Sequence, residues 1–448
     1  MQPEDTKVIV VGLGKSGFEL LKFLDKNNIK TEAYDSKSNY DKCLIEGFSN
    51  NININLGKNP SGEEECSSVI VSPGVPVNLD FLNKFKARGI EIIGEVEFAY
   101  RHAEGTFVSI TGTNGKTTTT TLTGEIFKSA GLDTRVVGNI GNPIISEVMT
   151  SNKDTFFVSE LSSFQLETIN SFKSKSAAVI NITPDHLDRH GNIDNYADIK
   201  FNVFNNQETK DYAILNIEDP KIKELSKKIT SNIIFFSTNQ KLGNGIYIED
   251  GIIKFNDGTQ IIDIIKRDEV YLKGKHNLEN VMTAIGLALS CNINIDVVAK
   301  VLREFRGVEH RLEFVENIDG VEYINDSKGT NPDSSIKALE TYDKNVILIA
   351  GGYDKKSDFD GFIKLFEGRV KMAIFMGVTK EQLAKTCDKN NFKNYIYKET
   401  MKEAVEFAKS IALKGDTVLL SPACASWGMY NNYEERGDDF KNIVRGNN

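Results

Sequence analysis

The run Gly112-Thr113-Asn114-Gly115-Lys116-Thr117 constrains this chain more than any other stretch. It lies between the apolar, strand-like TFVSI (106–110) and a segment expected to be helical. A glycine-rich turn from strand into helix wraps backbone N–H groups around phosphate oxygens, and the helix N-terminus adds positive potential. Lys116 suits the β- and γ-phosphates, the Thr117 hydroxyl suits a bound Mg²⁺, and Thr118 belongs with Gly112–Thr117 to the ATP-binding run. The full phosphate-loop pattern has Gly where this chain has Ile110, so the match is to a shortened form. The alternative is a Gly/Thr-rich turn with no ligand.

Such a loop requires a parallel sheet around it, and the chain supplies one. VIVV (8–11), TEAYD (31–35), VIVS (69–72) and IEII (90–93) alternate with helical stretches such as FELLKFLDK (18–26). A second series follows with TFVSI, FFVSE (156–160) and AAVINI (177–182). Short runs over 231–275, broken by Gly and Asn, predict a small β-rich patch, and 278–290 reads as a helix with Val281, Ala284, Ile285, Ala288 and Leu289 on one face. VEYIND (321–326), NVILIA (345–350), KMAIFM (371–376), NYIY (394–397) and TVLLS (417–421) form a third series. This pattern predicts an α/β protein of three domains, at 1–96, 97–306 and 307–448.

Bulk composition narrows the setting. A length of 448 residues exceeds what one core serves. A net charge of −9 argues against a broad nucleic-acid surface. Five scattered cysteines with no CxxC pair fit reduced thiols. The first apolar run breaks at Gly12, and no stretch approaches the roughly 18 apolar residues of a membrane span. The expectation is a cytoplasmic protein with no membrane or nucleic-acid partner.

Mg²⁺ calls for hard oxygen ligands near the loop. Glu160 ends FFVSE, the usual place for a carboxylate facing the C-terminal edge of a parallel sheet, and His186 follows AAVINI. The alternatives are a helix-capping Glu and a hydrogen-bonded structural His.

GTNGKT (112–117), GNIG (138–141), SELSSFQLE (159–167), NITPDHLDRH (181–190), HNLEN (276–280), HR (310–311), NDSKGTN (325–331) and SPACASW (421–427) occur in that order. The set resembles the Mur ligases of bacterial cell-wall synthesis, and the likeness covers nearly the whole chain. The resemblance implies a Rossmann-like N-terminal domain for a UDP-sugar, a central P-loop ATPase domain and a Rossmann-like C-terminal domain. It implies that Lys116 and Thr117 hold ATP phosphates and Mg²⁺, that Glu160 and His186 ligate the metal, and that Asn139 contacts substrate. Lys200 matches a family lysine that becomes carbamylated; a carbamate presents oxygens to Mg²⁺ as an ammonium cannot. Asn277, Asn280 and Asp326 match positions near adenine and ribose, and Arg311 one near the phosphates. The alternative for the two asparagines is helix capping.

The motif Gly12-Leu13-Gly14-Lys15-Ser16-Gly17, with Asp35 at ribose-binding distance, would by itself suggest NAD. The same turn can cradle any diphosphate. Leu13, Lys15, Ser16 and Asp35, with Ser72, Pro73 and Gly74, are therefore assigned to the UDP group. A ligand-free turn is the alternative.

The C-terminal run 421–440 is similar to the D-glutamate-adding members, which places Lys328, Thr330, Lys355 (with Lys356 as the alternative one position on), Ser426 and Tyr433 around the amino acid. A diacid needs cations and donors, and these residues supply both. The family pattern has Asp where this chain has Gly428. The resemblance thus implies an expected monomer using ATP and Mg²⁺ to join D-glutamate to UDP-N-acetylmuramoyl-L-alanine through an acyl phosphate. Three rivals are a folylpolyglutamate synthase, opposed by the N-terminal GxGxxG unit and SPACASW; an NAD-dependent oxidoreductase, which leaves the loop at Gly112 unexplained; and a non-catalytic nucleotide-binding protein, opposed by Lys116, Glu160, His186 and Lys200.

Overall fold

The computed structural model describes residues 7–272, 274–353 and 357–446. The chain divides into two compact units, Met1–Phe305 and Arg306–Asn448. Three sheets organise them, two in the first unit and one in the second.

The N-terminal sheet has five parallel strands in the order Ile52–Leu56, Thr31–Asp35, Val8–Val11, Ser68–Val71, Glu91–Gly94. Its middle strands are buried on both faces, which is why they read as unbroken apolar runs. The helix Lys15–Lys26 covers one face through Phe18, Leu20, Leu21 and Leu24.

The central sheet has nine strands, in the order Ile261–Lys266, Ile252–Asn256, Gly245–Glu249, Asn232–Ser237, Tyr212–Asn216, Ser176–Val179, Thr106–Thr111, Phe156–Glu160, Thr134–Gly138. The β-rich stretch expected over 231–275 belongs to the central domain and is continuous with this sheet. Asn232–Ser237 pairs parallel with Tyr212–Asn216, and only the last two strands turn antiparallel. The helix Glu95–His102 passes between the two sheets. Its Phe98 meets Phe23 of the helix Lys15–Lys26 at 5.8 Å, and its Tyr100 meets Phe107 of the central sheet at 5.5 Å. Edge-on aromatic pairs of this kind contribute about 0.5–1.5 kcal/mol beyond their buried area.

The second unit holds six strands ordered Glu313–Ile318, Val321–Asn325, Thr417–Leu420, Val346–Gly351, Val370–Met376, Tyr395–Tyr397. All pair in parallel except the first, an antiparallel edge strand. No helix among the described residues is long and apolar enough to cross a membrane.

Candidate active site

The strand Thr106–Thr111 delivers the chain into Gly112–Gly115, and the helix Lys116–Ser129 leaves it. Asn181 pins the loop from the neighbouring strand's exit. Its backbone oxygen accepts from the Thr113 amide (2.9 Å), its Oδ1 from the Asn114 amide (2.9 Å), and its Nδ2 donates to the Asn114 carbonyl (3.2 Å). Thr113 Oγ1 also donates to the Thr183 carbonyl at 3.1 Å. Lys116 Nζ lies over its own loop, donating to the carbonyls of Gly112 (3.0 Å) and Thr113 (2.8 Å). Thr117 and Thr118 are buried in the first helical turn.

Asn280 supports the loop from the helix Lys275–Ser290. Its Oδ1 accepts from Thr119 Oγ1 at 3.3 Å and its Nδ2 donates to Asn277 Oδ1 at 3.2 Å. The N-cap of that helix is Gly274, so neither asparagine caps it.

Glu160 stands in register with Ile110, one strand over from the loop, and is 1% exposed. Oε1 accepts from Asn139 Nδ2 at 2.9 Å, while Oε2 is buried with no hydrogen-bond partner among the described residues. It caps no helix: the following helix is capped by Ser162, in a reciprocal capping box with Gln165. Lys200, on the helix Ile193–Phe201, is 1% exposed, lies 4.5 Å from the centre of the Tyr196 ring and donates to the Gly112 carbonyl at 2.8 Å. Burial, reinforced by the nearby Lys116 charge, holds its pKa well below that of an ordinary lysine. An orphaned carboxylate oxygen and the Thr117 hydroxyl fit a hard cation. Lys200 fits one only as a carbamate, and a deprotonated amine is the form that can become one. His186 is exposed, in the left-handed region at φ 51°, with its ring 4.8 Å from that of Phe164.

Two residues outside the sequence assignments brace this centre. Arg189 donates to Glu167 (2.5 Å) and to the Val75 carbonyl (3.1 Å), and His190 Nε2 lies 3.0 Å from Ser163 Oγ. Both sit within NITPDHLDRH, but their partners Glu167, Val75 and Ser163 lie in other segments, so the run itself carries no sign of these contacts.

In the N-terminal sheet, Asp35 serves its own turn. Oδ2 accepts from the Leu13 amide (2.6 Å) and the Tyr40 hydroxyl (2.9 Å), and Oδ1 from the Lys37 amide (2.7 Å). Burial pushes its pKa up, but these donors outweigh it and hold the carboxyl below its usual range. Leu13 is itself fully buried, whereas Lys15 and Gly74 are exposed and Ser16, Ser72 and Pro73 half-buried. Ser72 Oγ donates to the Gly12 carbonyl (2.6 Å), and Lys15 Nζ reaches the Gly141 carbonyl (2.8 Å) in the GNIG loop that carries Asn139.

In the second unit, Asp326 is 4% exposed; Ser421 Oγ donates to Oδ2 (2.7 Å) and the Leu312 amide to Oδ1 (3.3 Å). Burial raises its pKa to about 7 against the opposing pull of Ser421 and Arg311. The structure brings Lys328 and Tyr433 together, with the ammonium 5.7 Å from the ring centre. The Thr330 amide donates to the Lys328 carbonyl at 2.8 Å. Ser426 is buried, and its carbonyl accepts from the Tyr430 amide at 3.0 Å. Gly428 follows at φ 87° with open space at its Cβ position, a turn conformation that glycine takes without strain. Lys355 and Lys356 lie outside the described residues.

Residues 6–94 match the N-terminal domain of Mur ligases of the MurD-like type, 110–288 the Mur ligase middle domain, and 310–424 the Mur ligase glutamate ligase domain. The chain is 47% identical to the UDP-N-acetylmuramoylalanine--D-glutamate ligase of Alkaliphilus oremlandii and 45% identical to that of Clostridioides difficile, in each case over 99% of both chains. Among solved structures it is similar to a UDP-N-acetylmuramate-alanine ligase of Thermotoga maritima (TM-score 0.59, 18% identity, covering 99% of this chain and 100% of that one). It is also similar to a MurF ligase of the same organism in complex with ADP (TM-score 0.57, 17% identity, covering 86% and 90%). With family models spanning most of its length and full-length relatives at this identity, the chain belongs to the Mur ligase family.

Proposed function

We propose that this chain is an ATP-dependent acid–amino-acid ligase that adds D-glutamate to UDP-N-acetylmuramoyl-L-alanine during peptidoglycan precursor synthesis. The observation that carries the chemistry is the convergence on one carbonyl: Lys116 and the buried Lys200 both donate to Gly112 of the phosphate loop. The choice of D-glutamate is supported by the full-length relatives.

A carboxylate resists nucleophilic attack because its charge is delocalised, so it is first phosphorylated. The L-alanyl carboxylate attacks the γ-phosphorus of ATP, giving an acyl phosphate and ADP. The D-glutamate amine then attacks the acyl carbon and inorganic phosphate leaves, carrying one oxygen of the original carboxylate. Lys116 offsets charge on the transferring phosphoryl group. Thr117, Glu160, His186 and carbamylated Lys200 would hold Mg²⁺, which when bound supplies further charge neutralisation at the phosphates. Asn277, Asn280, Arg311 and Asp326 serve the nucleotide. Lys15, Ser16, Ser72, Pro73, Gly74 and Asn139 serve the UDP substrate, with Asp35 and Leu13 shaping the turn beneath it. Lys328, Thr330, Lys355, Ser426 and Tyr433 take the amino acid. This reading keeps domains at 1–96, 97–306 and 307–448, and a cytoplasmic monomer.

The test is isotopic. With ¹⁸O in the substrate carboxylate, one label should appear in the released phosphate and one remain in the amide. Unlabelled phosphate would refute the acyl-phosphate route.

A further inference from the structure

Arg436 is the most deeply buried arginine of the second unit, 3% exposed in the first turn of the helix Tyr433–Arg445. A guanidinium removed from water normally faces a carboxylate, because an uncompensated buried charge is costly. Here its partners are neutral: Nε donates to Ser327 Oγ (3.0 Å), Nη2 to the Ser327 carbonyl (2.8 Å) and Nη1 to the Cys424 carbonyl (3.1 Å). Among the described residues no carboxylate forms an ion pair with it. The acid whose charge acts on it, Asp326, is itself buried and pushed up to about 7.

What the fork joins explains why such a costly arrangement would be kept. Ser327 immediately precedes Lys328 and lies three residues before Thr330; Cys424 lies two residues before Ser426. Ser327 Oγ passes the contact on, donating to the Tyr433 carbonyl at 2.7 Å. Lys328, Thr330 and Ser426 thus sit within three positions of a group that Arg436 holds, and Tyr433 is linked to it through Ser327 Oγ. The planar guanidinium fixes the spacing of the two loop carbonyls in a way that a flexible ammonium does not. A substrate with two carboxylates and a reacting amine needs that spacing held closely. The unpaired positive charge also favours a dianionic occupant nearby.

We propose that Arg436 is a positioning residue of the amino-acid site, holding the 327–330 and 424–426 segments at the separation that D-glutamate requires. This rests on the assignment of D-glutamate above.

The test compares wild type and Arg436→Lys for phosphate release, varying D-glutamate, ATP and UDP-N-acetylmuramoyl-L-alanine in turn, with thermal unfolding as a check on folding. Arg436→Lys keeps the charge and loses the fork, so KM for D-glutamate should rise about tenfold or more, with KM for the other two substrates within about twofold of wild type. Should Arg436→Lys fail to fold, Ser327→Ala decides: it removes only the hydroxyl link to Nε and Tyr433, and should raise KM for D-glutamate about threefold or more. An unchanged KM for D-glutamate in the folded variant, or equal changes in all three KM values, would overturn the inference. Absence of D-glutamate-dependent release in wild type would instead refute the assignment on which it rests.

Discussion

Asn280 fills the space directly behind Gly115: a β-carbon on Gly115 would come 2.1 Å from Asn280 Oδ1. Gly115 also holds φ 84°, in the left-handed region, as it turns the loop into its helix. The two constraints act together, one steric and one conformational. Gly115→Ala should therefore displace the loop and weaken ATP binding by about tenfold or more, as judged from the cost of forcing a β-carbon into that region. Titration with a fluorescent ATP analogue measures this; wild-type affinity in Gly115→Ala would show that the loop does not hold the nucleotide.

Glu160 offers one satisfied and one orphaned oxygen, and Glu160→Gln separates the two. The amide oxygen can still accept from Asn139, so the fold should be retained, while the orphaned position becomes an NH₂ that repels a cation. The Mg²⁺ concentration for half-maximal phosphate release should rise about tenfold or more. An unchanged Mg²⁺ dependence would remove Glu160 from the metal site.

Only a neutral amine reacts with CO₂, and burial together with the nearby Lys116 charge lowers the Lys200 pKa in the direction that favours that form. Depleting CO₂ and bicarbonate should lower the rate about ten- to hundredfold, the usual cost of disturbing a metal's surroundings. Added bicarbonate should restore it. Lys200→Arg, which cannot deprotonate, should be inactive in both conditions. A rate indifferent to CO₂ would argue against carbamylation.

Glu95 is buried between the first two sheets, accepting from the Ile145 amide at 2.8 Å. Burial raises its pKa from 4.5 to about 7, with the amides of Ile145 and Ile144 opposing. Between those values the unfolded chain releases a proton that the folded chain retains, so this group costs stability progressively as pH rises from 4.5 to about 7. Denaturant unfolding should show a steeper fall over that range for wild type than for Glu95→Gln. Parallel pH profiles would contradict the assignment.

Much of this architecture is legible before folding is considered, for physical reasons that also mark the limits. VIVV, TEAYD and FFVSE coincide with strands because they are central and buried on most faces, so burial writes itself into composition. Ile52–Leu56 and Glu313–Ile318 escaped notice because both are edge strands. ININL alternates Ile with Asn and buries only Ile52 fully, and EFVENI buries only Val315. Motif residues such as Lys116 and Glu160 stand out in the sequence because the proposed chemistry calls for them in that local pattern. Roles that depend on a distant partner do not. Asp35 at ribose spacing gives no sign that its carboxylate is already occupied by Leu13, Lys37 and Tyr40, and Arg436 looks like any helix-surface arginine until Ser327 and Cys424 are brought against it.

The most direct test of the central claim is phosphate release from ATP in the presence of UDP-N-acetylmuramoyl-L-alanine, with D-glutamate, L-glutamate, L-lysine or meso-diaminopimelate added in turn. Release that requires both the UDP substrate and D-glutamate is the predicted result. Release with one of the other amino acids, and none with D-glutamate, would contradict it.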